Sequence, residues 1–271
     1  MSELRARRPS KAVAPHVCSK PLPDGAFVDA GDGLYVSSPE FCFFQMADVY
    51  PLGRLIAMGT ELCGSYSLWG KDAAGKKQGV SIGTDRGTDY QAMYDLPTLT
   101  SKRKLKAFVD RMGGWPGYIQ AIKALRYIAD DSASPMETIL CILLTLPYRY
   151  GGYGLPMPEL NGLIYPGKGV KKFSGRAFYR GDLLWRKAGV VAEYNSDLEH
   201  TGPERIAKDA IRQSDLNLCG IYEIPVTNEQ IKKEDLLDKV ARQLAKRIGR
   251  TLRYKNPGFS KARRELRSVL F

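Results

Sequence analysis

The chain has 271 residues, 44% of them hydrophobic, with 41 Lys and Arg against 29 Asp and Glu, a net charge of +12. That length buries a full core as one large domain or two small ones, and no apolar run approaches the roughly 20 residues of a helical membrane span. The start, Met1 to Lys11, is basic but lacks an apolar segment of signal-peptide type, so a soluble, cytoplasmic protein with no membrane partner is expected.

The five cysteines are widely spaced and form no Cys-x-x-Cys pair, which predicts reduced thiols and no structural zinc. A cationic surplus of this size favours an anionic partner, most commonly a phosphate backbone. It gathers at Arg5 to Lys11, Lys102 to Lys106, Lys168 to Arg176, Lys239 to Arg253 and Lys261 to Arg267. Any one cluster reads equally as a solvated face; their number points to nucleic acid.

In chain order, residues 1–24 read as a basic flexible arm, and Gly33 to Val36 as a strand. Ser37-Ser38-Pro39-Glu40 is a helix start, with a serine cap, an early proline and an acid. That helix is expected to run towards Tyr50, and Leu52 to Met58 leads to a further element at Thr60 to Tyr66. Residues 70–90, full of Gly, Lys and Asp, read as an exposed insertion. Thr100 to Asp110 has helical periodicity with a basic face. Tyr118 to Ala129 is an amphipathic helix whose predicted buried side is Ile119, Ile122, Leu125 and Tyr127 or Ile128. Residues 25–130 thus form a mostly helical or mixed front domain with a possible role in DNA binding.

The remainder, 131–250, follows a different order. Ser134-Pro135 opens a helix with an almost wholly apolar body, ended by Pro147. Glu137 stands three residues after Ser134, as the acid of a capping box does, or else is a carboxylate aimed at a site. The loop from Tyr148 to Gly154 carries Arg149 and three tyrosines, which suit stacking on bases or packing on the loop's own domain. Leu163 to Tyr165 reads as a strand, and Gly167 to Arg176 as a basic turn offering Lys168, Lys171, Lys172 and Arg176 to nucleic acid. Ala177 to Trp185 and Val190 to Asn195 are the arms of a hairpin, so the sheet is a three-strand meander. Pro203 to Leu218 reads as a helix, Ile221 to Val226 as a strand and Glu229 to Ile248 as one long helix. Residues 251–271 form a basic C-terminal extension with a short helix.

The hairpin carries the chemistry. Its turn, Arg186 to Gly189, sets Trp185 opposite Val190, and counting outward sets Asp182 opposite Glu193. Opposed residues have Cβ atoms only about 4.5–5.5 Å apart, where like charges repel. A Mg²⁺ or Mn²⁺ ion would reverse that cost, since hard cations take carboxylate oxygens. The alternatives are acids splayed into solvent or a slipped register.

The order helix, three strands, helix, strand, with these acids, resembles the PD-(D/E)xK nuclease superfamily over roughly Ser134 to Leu244. More narrowly it is similar to endonuclease domains related to very-short-patch repair enzymes, through Asp182, Glu193-Tyr194-Asn195, His200, Asp209-Ala210-Ile211-Arg212 with Leu216 and Gly220, and Ile224-Pro225-Val226-Thr227. The resemblance implies an α+β, restriction-endonuclease-like αβββαβ core and metal-dependent hydrolysis of a phosphodiester, in DNA before RNA. It implies that Asp182, Glu193 and Glu137 surround the ion, and that His200 positions or deprotonates water or protonates the leaving group. Where the superfamily usually has Lys this chain has Asn195, which can hold a water or phosphate oxygen but takes no proton. Asp209 and Arg212, three apart, read as an intrahelical ion pair, with a phosphate as the other partner open to Arg212.

A different class stays open. A nuclease fold without catalysis would serve as a DNA-binding regulator, and the segment from Ser37 to Leu62 loosely resembles antitoxin-like proteins of defence systems. An RNA-binding protein fits the charge and tyrosines as well.

Overall fold

The computed structural model describes residues 18, 20–70, 81–82, 90–195, 203–253 and 258–271. The architecture is mixed α/β, with three small sheets among the described residues. Strands β1 (Phe27–Gly31) and β2 (Leu34–Ser37) form a hairpin whose two-residue turn, Asp32-Gly33, has positive φ at both positions, the geometry that matches strand twist. The sequence reading had only the second strand.

Helix α1 (Pro39–Met46) starts as its sequence dictates: Ser38 Oγ accepts from the Phe41 N–H at 3.2 Å, and Pro39 occupies the first turn. It stops at Met46, short of Tyr50, and α2 (Leu52–Leu62) runs on through the segment expected to be a separate element. Residues within and on either side of the expected insertion pair as a sheet of β3 (Ser67–Gly70), β4 (Ser81–Ile82) and β5 (Tyr90–Met93), in the order β3-β5-β4. Helices α3 (Lys102–Asp110) and α4 (Tyr118–Leu125) follow. Leu125 and Ile128 are buried as expected, joined by Ala121 and Ala124, while Ile122 is half-buried and Ile119 is 64% exposed. Gly117, just before the helix, packs on the backbone of Ala47 and Asp48, where a Cβ would stand 2.9 Å from the Asp48 nitrogen.

Helix α5 (Pro135–Thr145) is buried along its whole length. Then come β6 (Glu159–Ile164), α6 (Lys168–Ser174), β7 (Tyr179–Trp185), β8 (Val190–Asn195), α7 (Pro203–Leu218), β9 (Tyr222–Thr227), α8 (Asn228–Lys232), α9 (Glu234–Ile248) and α10 (Phe259–Leu270). The strands lie in the order β6-β7-β8-β9, antiparallel except for the parallel pair β8-β9. On one face Leu160, Leu183, Trp185, Val190, Ala192, Ile224 and Val226 join the core with α5 and α9. On the other, Ile164, Tyr179, Leu184 and Val191 meet Leu216 of α7.

Two expectations for this half are corrected. The basic turn is the short helix α6, closed by Gly175 at φ +66, whose N–H bonds the Lys171 carbonyl; seven residues are too few to show periodicity. The single long helix is broken at Lys233, which is extended at φ −96, ψ 124. The carbonyls of Ile231 and Lys232 exposed by the break are both taken by the Arg267 guanidinium of α10.

One apolar cluster joins residues on both sides of position 130, from Ala26 to Leu266. One close seam in it is between α2 and α10, where a Cβ on Gly53 would stand 2.6 Å from Leu266 Cδ1. All five cysteines are free thiols. Among the described residues no helix is long and apolar enough to cross a membrane.

Candidate active site

Strands β7 and β8 meet through the turn Arg186 to Gly189. Gly189 sits at φ +59, and a Cβ there would stand 2.6 Å from the Gly220 carbonyl, so glycine is required twice over. The register runs Trp185↔Val190, Leu184↔Val191, Leu183↔Ala192, as the turn predicts. The ladder pairs stop there, one step before Asp182 and Glu193. Instead each acid takes a backbone N–H from the other strand: Asp182 N donates to Glu193 Oε2 at 3.3 Å, and Tyr194 N donates to Asp182 Oδ2 at 2.8 Å. The carboxylates therefore sit where the strands separate, neither splayed into solvent nor out of register.

Asn161 extends the site on the other side of β7. The β6-β7 register, Leu160↔Leu183 and Gly162↔Gly181, leaves Asn161 opposite Asp182, and Asn161 is left-handed at φ +50. Its Nδ2 donates to Glu137 Oε2 at 2.7 Å and to the Asp131 carbonyl at 2.9 Å. Glu137 Oε2 also accepts from Ala133 N at 3.0 Å, and Ser134 Oγ caps the Glu137 N–H at 3.2 Å. Glu137 is thus both a helix-start acid and a buried carboxylate whose charge acts on Asp182.

From α7, Arg212 reaches the sheet rather than Asp209 on its own helix, which corrects the intrahelical pairing. Its Nη2 donates to Glu193 Oε1 and, at 2.9 Å, to the Arg180 carbonyl, and its Nε lies 3.7 Å from Glu223 Oε2. Glu223, beside Val191 in the parallel register of β9 on β8, carries a buried Oε2 with no hydrogen-bond partner.

Asp182, Glu193, Glu137 and Glu223 all hold protons more strongly than free carboxyls do. Burial pushes Asp182 up to about 7, with the Glu137 charge adding to it and the Tyr194 N–H opposing. Burial likewise lifts Glu193 to about 8, reinforced by Asp182 and opposed by Arg212. Glu137 and Glu223 are also raised, chiefly by burial. Arg212 does not overcome desolvation at Glu193, because its one guanidinium serves several acids.

Asn195, half-buried, ends β8 opposite Thr227. His200 lies outside the described residues, as do residues 1–17 with the first basic cluster. Lys168, Lys171, Lys172 and Arg176 are exposed on and just after α6. Helix α6 leaves the end of β6 that neighbours the start of β7 and the end of β8, so these cations flank the edge holding Asp182 and Glu193.

The aromatic loop is committed elsewhere. Tyr148 and Tyr153 pack edge-on to Phe259, and Tyr150 lies under the Arg149 guanidinium at 4.7 Å. Gly151 and Gly152 hold the loop against α10 and Leu146, where a Cβ would clash with backbone at 2.4 and 2.2 Å. A cleft of about 420 Å³ runs along β6 past Lys102, Asp130, Asp131 and Asn161. Among the described residues no group of three or more His, Cys, Asp or Glu is gathered as metal ligands.

Sequence reasoning missed Asn161 and Glu223. Asparagine tolerates a left-handed backbone better than most residues, a signal too weak to find Asn161. Glu223 is placed by a parallel register that no turn reveals.

The chain is 26% identical over 146 residues to two uncharacterized proteins of Mycobacterium tuberculosis, one from strain CDC 1551 / Oshkosh and one from strain H37Rv. The match covers 53% of this chain and 49% of each relative, so the chain spans about half the length of the curated relatives it matches. No family model and no solved structure matches it.

Proposed function

We propose that the chain is a metal-dependent endonuclease with a restriction-endonuclease-like core, hydrolysing phosphodiester bonds in DNA. The observation that carries this reading is that the Asp182 and Glu193 carboxylates, where β7 and β8 separate, each accept a backbone N–H of the other strand, from Tyr194 and Asp182 respectively, within the order α5-β6-β7-β8-α7-β9. The donor set fits Mg²⁺ or Mn²⁺: such ions are held by one or two carboxylates and keep water or substrate phosphate for the rest. Bound there, the ion supplies charge on the phosphate and lowers the pKa of a water.

The chain's own residues divide the remaining work. Asp182 and Glu193 release their protons to hold the ion. Asn161 fixes the Glu137 carboxylate beside them. Lys168, Lys171, Lys172 and Arg176 attract the phosphate backbone at the same edge, Asn195 orients a water or phosphate oxygen, and His200 carries the proton. Arg149, paired with Tyr150, adds a cation on a separate surface.

The second reading, a DNA-binding regulator of nuclease fold, is favoured by Asn195 in place of a charged residue and by the guanidinium already held on Glu193. Cleavage of supercoiled plasmid and single-stranded DNA with Mg²⁺ or Mn²⁺ separates the two. Metal-dependent cutting lost in both Asp182→Ala and Glu193→Ala is expected. DNA binding without cutting under either metal supports the regulator.

A further inference from the structure

Resting on the metal reading, the geometry points to Arg212 as a positioning residue with two seats, standing on Glu193 until a divalent cation binds and then moving to Glu223. The first seat is occupied: Arg212 Nη2 bonds Glu193 Oε1, one of the oxygens that a cation between Asp182 and Glu193 needs. The second seat is prepared. Glu223 Oε2 is buried, lacks a hydrogen-bond partner, and lies 3.7 Å from Arg212 Nε, just beyond bonding distance.

A buried carboxylate oxygen left unpaired is costly. A guanidinium and a divalent cation on one carboxylate repel each other. Both costs fall together if the guanidinium tilts from one acid to the other. The bond from Nη2 to the Arg180 carbonyl, 2.9 Å, supplies a fixed point for that tilt. The strand register keeps the two seats close, since Glu193 on β8 and Glu223 on β9 occupy neighbouring parallel strands facing α7.

The test measures binding rather than turnover. Mn²⁺ is titrated calorimetrically into the whole chain as wild type, Glu223→Gln, Arg212→Gln and the double variant. Glu223→Gln removes the anionic second seat, so Mn²⁺ binding weakens about tenfold, as the loss of one charge-assisted bond implies. Arg212→Gln removes the competitor and binds Mn²⁺ at least as tightly as wild type. In its background Glu223→Gln has no further effect, so the two changes are coupled.

The proposal is overturned by equal losses with and without Arg212, or by an affinity that Glu223→Gln leaves within twofold of wild type. If a variant fails to fold, the wild type decides alone: the Arg212 Nε–H resonance shifts downfield on Mg²⁺ addition, and a stationary resonance with bound Mg²⁺ sinks the handover. A wild type that binds neither ion overturns the metal reading itself, and with it the handover. That pattern is distinct from the others.

Discussion

At Asp182 and Glu193 the fold binds protons that the unfolded chain releases, because burial raises both carboxyls to about 7 and about 8. Such groups contribute stability that is fully present below their ordinary carboxylate range and is lost as pH rises through the folded values. Unfolding free energy in EDTA, from urea titration, is therefore expected to fall between about pH 4.5 and 8, by up to about 1.4 kcal/mol per pH unit for each proton involved. Asp182→Asn with Glu193→Gln flattens that slope; an unchanged slope in the double variant refutes the assignment. Cation binding at the pair displaces the same protons and strengthens over this range. The opposition of these residues was legible because a four-residue turn fixes a hairpin's register. Their neighbours were not: Asn161 depends on an irregular backbone angle, and Arg212 on which way α7 faces.

Among the elements, those announced by caps and turns were the readable ones. Ser38 and Ser134 both accept the N–H three residues on, and the helices begin where those serines say. The break between α8 and α9 had no such announcement, because the residues around Lys233 are good helix formers and only tertiary contacts open them. Those contacts are polar: Arg267 takes the two freed carbonyls, while Arg263 joins Asp238 at 2.9 Å and Glu234 at 2.6 Å. Arg267→Met should then cost about 1–3 kcal/mol by leaving the carbonyl of the buried Ile231 unpaired. Urea unfolding followed by circular dichroism checks it; a loss below about 0.5 kcal/mol, the usual scale of a surface change, denies the break its stated support.

For the molecule as a whole, the charge excess of +12 was plain in composition, and the clusters on α3, α6 and α9 are carried on exposed positions. What composition did not reveal is how they relate to the acid edge, since only the path of β6 into α6 sets Lys168, Lys171 and Lys172 there. Duplex binding should weaken linearly in log salt, with a slope of about −0.9 per phosphate neutralised. Changing those three lysines to Ala should reduce the slope by about 2–3. A slope equal to wild type moves the duplex away from this edge.

The seam between α2 and α10 brings a timing constraint with it. These helices come from opposite ends of the sequence, and Gly53 is shaped to receive Leu266. As the chain leaves the ribosome, Phe43 and Ile128 are soon at hand for the Gly59 part of α2, but the part around Gly53 waits for α10. Contacts that span so much sequence close slowly, so this patch of α2 is the part of the first half open longest to other nascent chains.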